Sequence, residues 1–284
     1  MRTSRPTLLI DGDLLLYRAA AACEQETHWG RQVWTMSTNL DEVKAVSTKL
    51  VKEWRKELGG DRVLVCLSDP ARNFRKELNP HYKENRKGVR KPMGWPKLME
   101  WVRSKDCPWE HLERPGLEAD DCIGIMMTRP RANVIGVSDD KDFLCIPGRF
   151  YRVGMGSRGP QLFESSVEEA DRFFYAQAMA GDPVDGFSGA PGIGFDTAME
   201  LLSEGVGFEL YEHVLKSGKR KGQTETRKRK VPMEEPWDIV QSAYTLAGLT
   251  EETALLNARM ARILRWEDYD REKREPILWT PPTS

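Results

Sequence analysis

The chain has 284 residues, with 43 Lys and Arg against 44 Asp and Glu, a formal net charge of −1 and 39% hydrophobic residues. These values are ordinary for a globular enzyme with a full core. No apolar run approaches the length of a membrane span, and no signal-peptide core precedes the first apolar run. The five cysteines have an odd count and no metal-ligand spacing, so we expect a reduced, cytoplasmic protein without a zinc site.

Three short aliphatic runs lead directly into aspartates: residues 8–10 into Asp11, 63–67 into Asp69, and 134–137 into Asp139 and Asp140. Runs of this kind without alternation predict parallel strands that are buried on both faces. In such sheets the site lies outside the carboxyl ends of the strands, so the aspartates are expected to converge on one crevice.

Helix-competent segments separate these runs. A helix is expected from Asp11 to Ala22, an amphipathic helix from Asp41 to Leu58, and a short helix from Asp196 to Leu202. The predicted fold class is therefore α/β, with a central, mostly parallel sheet and helices on both faces.

Two more acidic groups, one at Glu118, Asp120 and Asp121 and one at Asp182 and Asp185, stand near turn signals. So many carboxylates stay ionised together only when cations offset their repulsion, which predicts a divalent metal site. Scattered histidines and abundant carboxylates favour Mg²⁺ or Mn²⁺. For the first group, capping of a helix N-terminus is the alternative.

The near-zero net charge hides two basic blocks. Residues 72–91 hold eight Lys or Arg and two Glu, and residues 216–230 hold eight Lys or Arg and one Glu. Such blocks are commonly only solvated surface, but alternation with an acidic crevice suits a polyanion held by its phosphates. Phe74 and Tyr82 in the first block either anchor that segment or stack on bases.

A glycine-rich turn at residues 186–194 precedes the short helix. Backbone N–H groups in such a turn, above a helix N-terminus, can bind phosphate without reading sequence. A glycine-rich turn alone is a weak signal, and the acidic pair at Asp182 and Asp185 strengthens it.

Together these motifs resemble the flap-endonuclease/5′→3′ exonuclease superfamily, and within it the 5′→3′ exonucleases of T7-like bacteriophages. The resemblance runs from Ile-Asp-Gly-Asp at the first strand through Phe-Arg-Lys-Glu-Leu and Tyr-Lys-Glu-Asn-Arg to Glu-Ala-Asp-Asp and Asp-Lys-Asp. It extends to Leu-Lys-Ser-Gly-Lys, Gly-Leu-Thr-Glu-Glu and Met-Ala-Arg-Ile-Leu-Arg, which are phage-specific, and so covers nearly the whole chain.

The resemblance implies roles for particular residues. The first metal site is assigned to Asp11, Asp69, Glu118, Asp120 and Asp121. The second is assigned to Asp140, Asp142, Asp182 and Asp185. Arg18, Lys83 and Arg86 are the expected catalytic cations. The expected DNA-binding residues are Arg72, Arg75, Lys76, Tyr82, Lys87, Gly189, Gly192, Ile193 and Gly194.

The resemblance also implies a PIN/5′-nuclease-like domain over residues 1–284. Within it are expected a basic arch (72–105), a helix-hairpin-helix-type element (176–204), a flexible basic loop or loose hairpin (216–232) and a C-terminal helical region (236–284). The chain departs from the wider family at Asp196, where a phosphate-contacting lysine is common, and at Gly186, where asparagine is frequent.

The implied activity is metal-dependent 5′→3′ hydrolysis of duplex DNA and RNA–DNA hybrids, with cleavage at flaps or nicks, in phage replication, primer removal and breakdown of host DNA. Two Mg²⁺ ions are expected, with Mn²⁺ as a substitute and K⁺ at the hairpin. We expect a monomer in the host cytoplasm that does not bind membranes and that meets phage replication proteins.

Two other classes stay open on the residues alone. Asp11-Gly-Asp13 after a first strand also opens haloacid-dehalogenase-type phosphatases, although these do not need the basic arch or the glycine turn. A non-catalytic DNA-binding protein is the second alternative, but binding alone would not favour nine convergent carboxylates.

Overall fold

The computed structural model of the chain describes residues 5–154 and 156–282. In chain order the strands are β1 (Thr7–Asp11), β2 (Gln25–His28), β3 (Trp34–Ser37), β4 (Arg62–Leu67), β5 (Glu110–Glu113), β6 (Val134–Ser138), β7 (Gly148–Arg152), β8 (Gln161–Ser165), β9 (Gly181–Asp182), β10 (Phe187–Ser188), β11 (Val206–Val214), β12 (Thr224–Pro232), β13 (Tyr269–Asp270) and β14 (Glu275–Pro276).

The α-helices are α1 (Gly12–Ala22), α2 (Leu40–Leu58), α3 (Phe74–Leu78), α4 (Trp95–Arg103), α5 (Ala119–Met127), α6 (Val167–Ala180), α7 (Phe195–Glu204), α8 (Pro236–Leu246) and α9 (Glu251–Ala261). Short 3₁₀ turns occur at Glu84–Arg86, Lys141–Cys145 and Trp266–Asp268.

The chain divides into two compact units. The sheet unit comprises the described residues of Met1–Phe74, Arg86–Val167 and Ile263–Ile277. The helical unit comprises those of Arg75–Asn85, Glu168–Arg262 and Leu278–Ser284.

The sheet unit is built on one sheet in which the described strands follow the order β5-β4-β1-β6-β7-β8. β1 pairs in parallel with both β4 and β6, while β8 is antiparallel to β7 at the edge. From β1 the chain adds β4 and β5 on one side and then returns to add β6 on the other. The strand order therefore reverses between β1 and β6, which is where open α/β sheets form their ligand crevice.

Both faces of the sheet are covered. Leu8 and Ile10 of β1 pack into a core with α1, α2 and α4, whereas Leu9 points to the opposite face and is also fully buried. α5 packs against β1, β4 and β6. This explains why the strand sequences are aliphatic without alternation.

The sequence periodicity predicted the main elements of the sheet unit. The three aliphatic runs are β1, β4 and β6, and the amphipathic segment is α2, which ends at Gly59 with a left-handed φ of 63°. The predicted α/β class with a mostly parallel sheet is confirmed.

The helical unit has a core between α6, α8 and α9. Tyr244 donates a 2.7 Å hydrogen bond to the Ala178 carbonyl, and Asn257 donates to Tyr244 Oη at 2.6 Å and to the Ser188 carbonyl at 2.7 Å. Asn257 therefore links the helices of this unit to the short β9–β10 pair.

Candidate active site

Asp11 stands at the carboxyl end of β1, where the strand order reverses. Its carboxylate caps α1 by accepting from Leu14 N–H at 3.0 Å, and Ser138 Oγ, at the end of β6, donates to it at 2.7 Å. The side chain thus joins the ends of two neighbouring strands, as the sequence pattern predicted.

Several carboxylates surround Asp11. Burial, followed by repulsion from Asp13 and a smaller contribution from Asp140, raises the pKa of Asp11 to about 6. Burial also raises the pKa of Asp13, with Glu118 adding to the rise. The edge of the sheet therefore holds negative charge that only a cation or protons can offset.

Asp13 was not among the predicted ligands. The first turn of α1 places it near Ser68, whose polar groups partly offset the rise in its pKa. Ser68 Oγ also accepts from Ala119 N–H at 3.0 Å and so links Asp13 to the start of α5. The signal was present in the motif Asp11-Gly-Asp13, which belongs both to the exonuclease resemblance and to the phosphatase alternative.

The start of α5 carries the tightest acidic group. Glu118, Asp120 and Asp121 offer oxygens that all lie within 4.8 Å of one another. Asp121 is fully buried and accepts from Glu118 N–H at 3.2 Å and from Leu264 N–H at 3.1 Å. Asp121 therefore caps the helix, while Glu118 and Asp120 are half-buried beside it.

Asp69 has a different environment. Burial raises the pKa of Asp69, but N–H groups of Gly116, Ala71 and Arg72 bind the carboxylate and leave the pKa below its ordinary value. The Gly116 N–H contact is 2.7 Å and the Ala71 contact 2.8 Å. In this structure Asp69 fastens the loops after β4 and before α5, and its predicted role as a metal ligand stays a prediction.

The segment after β6 holds the next predicted ligands. Asp140 accepts from Asp142 N–H at 2.9 Å and caps the 3₁₀ turn. Arg18 lies on the same side of the sheet unit, where it donates to the Gly154 carbonyl at 2.6 Å and lies 3.5 Å from Asp139 Oδ2. Asp139 thus balances the predicted catalytic arginine.

The helical unit contains the other predicted acidic pair. Asp182 Oδ1 accepts from Val184 N–H at 2.8 Å and from Asp185 N–H at 3.2 Å, which closes the turn between β9 and β10. Lys83 Nζ lies 3.5 Å from Asp185 Oδ2, and Lys83 N–H donates to the Asp185 carbonyl at 2.9 Å. The structure therefore joins one predicted catalytic cation directly to one predicted ligand.

Two predicted DNA-binding side chains are buried. Arg75 is 2% exposed and donates from Nε to the Met260 carbonyl at 3.0 Å and from Nη2 to the Arg262 carbonyl at 2.6 Å. Its guanidinium is enclosed, so its assignment to DNA is corrected to a structural role. Tyr82 is 3% exposed and directs its hydroxyl to Asp185 at 3.4 Å, which favours the anchoring alternative over base stacking.

The other cations of the arch are at the surface. Arg72, Lys76, Arg86 and Lys87 are all exposed. At exposed positions a long basic side chain can reach the phosphates of a nucleic acid.

The glycine-rich turn has two parts with different roles. A Cβ on Gly189 would lie 2.1 Å from the Ala180 backbone, so Gly189 permits a close chain crossing, and its assignment to DNA stays a prediction. Gly192 has a φ of 83°, and both it and Gly194 face open space, next to Ile193 at the start of α7. Ile193 N–H donates to the Ala190 carbonyl at 3.1 Å, and the phosphate-binding role of Gly192, Ile193 and Gly194 stays a prediction.

A cavity of about 510 Å³ lies at the other edge of the sheet, near Thr7, Arg62 and Val134, where β1, β4 and β6 begin. Parallel sheets rarely bind substrates at their amino edge, and none of the predicted site residues lines this cavity. We therefore place the site at the carboxyl edge.

The donor set fits a divalent ion. Every candidate ligand in the group is a carboxylate, which Mg²⁺ and Mn²⁺ prefer. Burial and neighbouring acids raise the pKa values of Asp11 and Asp13, although Lys91 partly offsets the rise at Asp13. The fold and the site thus define an α/β enzyme with an acidic divalent-metal centre.

Comparisons with known proteins identify the family. A family model described as "5'-3' exonuclease, N-terminal resolvase-like domain" matches residues 6–156. An exodeoxyribonuclease of Enterobacteria phage T3 is 34% identical, with 96% of this chain and 92% of that protein covered. An exonuclease of Escherichia phage T7 is 33% identical, with 96% and 93% covered.

Solved structures agree on the fold. A flap endonuclease of bacteriophage T5, solved as a pseudo-enzyme-product complex with DNA and metal ions, has a TM-score of 0.58 at 16% identity and covers 91% of this chain and 89% of its own. The chain belongs to the 5′-3′ exonuclease family, and it is a nuclease; neither the phosphatase nor the non-catalytic alternative is supported. None of the helices in the described part of the chain has the length and hydropathy that crossing a bilayer requires.

Proposed function

We propose that this member of the family removes nucleotides from the 5′ ends of duplex DNA and of RNA paired to DNA, and cuts at 5′ flaps and nicks. The observation that carries the proposal is the convergence of Asp11, Asp13, Glu118 and Asp120 at the reversal point of the sheet. The proposed roles are phage replication, primer removal and breakdown of host DNA; the phage relatives, named exodeoxyribonuclease and exonuclease, support the nuclease activity itself.

Two Mg²⁺ ions are the proposed cofactors, with Mn²⁺ as a substitute and K⁺ at the glycine-rich turn. Asp11, Glu118 and Asp120 would hold the first ion, with Asp69 and Asp121 supporting the same site, while Asp140, Asp142, Asp182 and Asp185 would hold the second. When bound, the two ions would supply activated water and offset charge on the departing oxygen.

The cations of the chain stabilise the phosphate. Lys83 and Arg86 offer positive charge to the phosphoryl oxygens, where preorganised charge lowers the barrier without reorganisation. Arg18 is held by Asp139 and Gly154, so it contributes as a fixed charge beside the acidic group.

Binding of the substrate is assigned to surface groups that contact only the sugar-phosphate backbone of the nucleic acid. The proposed contacts are Arg72, Lys76 and Lys87 in the arch (72–105) and the N–H groups of Gly192 and Gly194 in the helix-hairpin-helix-type element (176–204), since Ile193 N–H donates to the Ala190 carbonyl. Such contacts position a duplex without reading its bases. The T5 flap endonuclease, which was solved with DNA, supports a nucleic-acid substrate. The protein is proposed to act as a monomer and to bind phage replication proteins.

The test is digestion of a 5′-labelled duplex, a 5′ flap and an RNA–DNA hybrid with Mg²⁺. Wild type should release 5′-phosphorylated products from each. Asp120→Ala should lower turnover by more than about 100-fold, since loss of even an outer partner of a metal ligand costs 10–100-fold. Asp106→Ala is the matched control, because Asp106 is an exposed loop aspartate. Wild-type turnover by the Asp120 variant would contradict the assignment.

A further inference from the structure

The second basic block of the sequence lies in a regular hairpin of the helical unit. β11 and β12 pair along their full lengths, from Val206 opposite Pro232 to Val214 opposite Thr224. Leu215 N–H donates to the Gln223 carbonyl at 2.9 Å and closes the turn. The segment is therefore a turn and a paired strand, which gives each cation a defined position.

Most cations on the strand β12 have acidic partners. The pairs are Arg229 with Glu209 at 2.7 Å, Arg227 with Glu225 at 2.7 Å, and Lys230 with Glu204 at 3.4 Å. Hydrogen bonds from Arg229 and Arg227 lower the pKa of Glu209 and Glu225, respectively. A phosphate that approached these arginines would have to displace a carboxylate already in place.

A hydrogen bond and ion pairs anchor the base of the hairpin to neighbouring helices. Phe208 N–H donates to Ser242 Oγ of α8 at 2.9 Å, and Lys230 extends toward Glu200 and Glu204 of α7. The charges of the strands thus hold the ribbon together and fix it to its unit.

In contrast to the strands, the turn at the tip of the hairpin carries basic residues without acidic neighbours in the sequence. Residues 215–224 contain no acidic residue, and Lys216, Lys219 and Lys221 are exposed. Among the described residues, none of these three lysines lies within ion-pair distance of a carboxylate. Arg220, between them, is 3.5 Å from Glu225. The uncompensated charge of the hairpin is therefore concentrated at its tip.

We propose that Lys216, Lys219 and Lys221 form a contact surface for the phosphates of a nucleic-acid duplex, and that the strand cations serve the hairpin itself. Lysine acts on phosphate as a flexible point charge, so the surface would be independent of sequence. Since the counterions of these lysines are small ions rather than glutamates, phosphate binding releases them and gives a salt-dependent affinity. The proposal rests on the proposed nuclease function and adds a substrate contact to it.

The experiment compares three variants in equilibrium binding to a fluorescent duplex over a range of salt, with Ca²⁺ in place of Mg²⁺. The tip variant carries Lys216→Gln, Lys219→Gln and Lys221→Gln. The helix control carries Lys49→Gln, Lys52→Gln and Lys56→Gln, which removes the same charge from the exposed side of α2. The strand control carries Arg227→Gln and Arg229→Gln.

The tip variant should lower the slope of log K against log salt by about 2.7, since each phosphate contact contributes about 0.9. Both controls should keep the wild-type slope within about half a unit, and a triple Lys→Arg variant at the tip should restore it. Thermal melting of each variant checks that the substitutions leave the fold intact.

Two results would overturn the proposal. An unchanged slope in the tip variant would show that the lysines do not meet phosphate, and an equal fall in the helix control would show that only net charge matters. Cleavage of the 5′-labelled duplex by wild type in the same preparation separates these failures from failure of the nuclease function, which would abolish cleavage in wild type as well.

Discussion

Three aspartates of the site show how environment sets the role of one residue type. Asp11 has a raised pKa because it is buried beside other acids, Asp69 has a lowered pKa because N–H groups bind it, and Asp121 is enclosed as a helix cap. All three follow the same sequence signal, an acid near the end of a strand or the start of a helix. The signal places each of them next to a strand end or a helix start but does not encode which backbone groups bind its carboxylate.

Lys83 has both a strained backbone and a charged partner. Its φ is 53°, and its ammonium group lies 3.5 Å from Asp185 and 4.9 Å from the centre of the Tyr82 ring. Such a position is held by the surrounding structure and suits a charge that acts on the transition state. We expect Lys83→Ala to lower kcat by about 100-fold with little change in duplex affinity.

Lys87→Ala is the comparison, because Lys87 is exposed in the same basic block. It should raise KM and leave kcat nearly unchanged, as expected for a positioning contact. Steady-state kinetics on a 5′-labelled duplex would distinguish the two. If Lys83→Ala also raised only KM, Lys83 would be a positioning residue and its catalytic assignment would fail.

At the scale of elements, regular periodicity was predictable and irregular packing was not. The aliphatic strands and the amphipathic α2 follow from local pattern alone. The β11–β12 hairpin does not, because its second strand reads as a charge block whose pairing depends on Glu209 and Glu204 in preceding elements. Burial of Arg75 was hidden for the same reason, since its carbonyl partners belong to a segment 185 or more residues away.

The short helix α3 offers a direct test of that burial. Arg75→Ala removes a guanidinium that satisfies the Met260 and Arg262 carbonyls, and we expect a loss of about 3 kcal/mol or more in the free energy of unfolding. Lys76→Ala, the exposed neighbour with the same charge, should change stability by less than about 0.5 kcal/mol. Chemical denaturation measures both. Equal stabilities would show that Arg75 is not a structural residue.

At the scale of the molecule, the predicted ligands are divided between the two units. Asp11, Asp69, Glu118, Asp120, Asp121, Asp140 and Asp142 belong to the sheet unit, and Asp182 and Asp185 belong to the helical unit. The strand pattern predicted that Asp11, Asp69 and Asp140 follow strands whose carboxyl ends share one edge of the sheet, whereas the assignment of the whole set to metal rests on the family resemblance and stays a prediction. The grouping of the second site rests on family resemblance, because no local pattern relates a turn between β9 and β10 to the end of β6.

If Asp11 binds metal, the free energy of unfolding of the chain should depend on pH, and Mg²⁺ should change that dependence. Folding raises the pKa of Asp11 from 3.8 to about 6, so the folded state binds more protons than the unfolded state between these values. The stabilising contribution of protonated Asp11 to the free energy of unfolding is fully present below pH 4 and is lost as pH rises through about 6. At neutral pH the loss is of the order of 3 kcal/mol. In EDTA, the free energy of unfolding of wild type should therefore fall relative to that of Asp11→Asn as pH rises across this window.

Addition of Mg²⁺ should reverse this loss, because Mg²⁺ binds the ionised carboxylate. At about 100 times its Kd, Mg²⁺ should restore about 2.7 kcal/mol to the free energy of unfolding of wild type at pH 7.5. The same addition should have a smaller effect at pH 4.5 and in Asp11→Asn. Thermal melts at the two pH values, with and without Mg²⁺, measure all of these, and a Mg²⁺ effect that is independent of both pH and Asp11 would remove Asp11 from the metal centre.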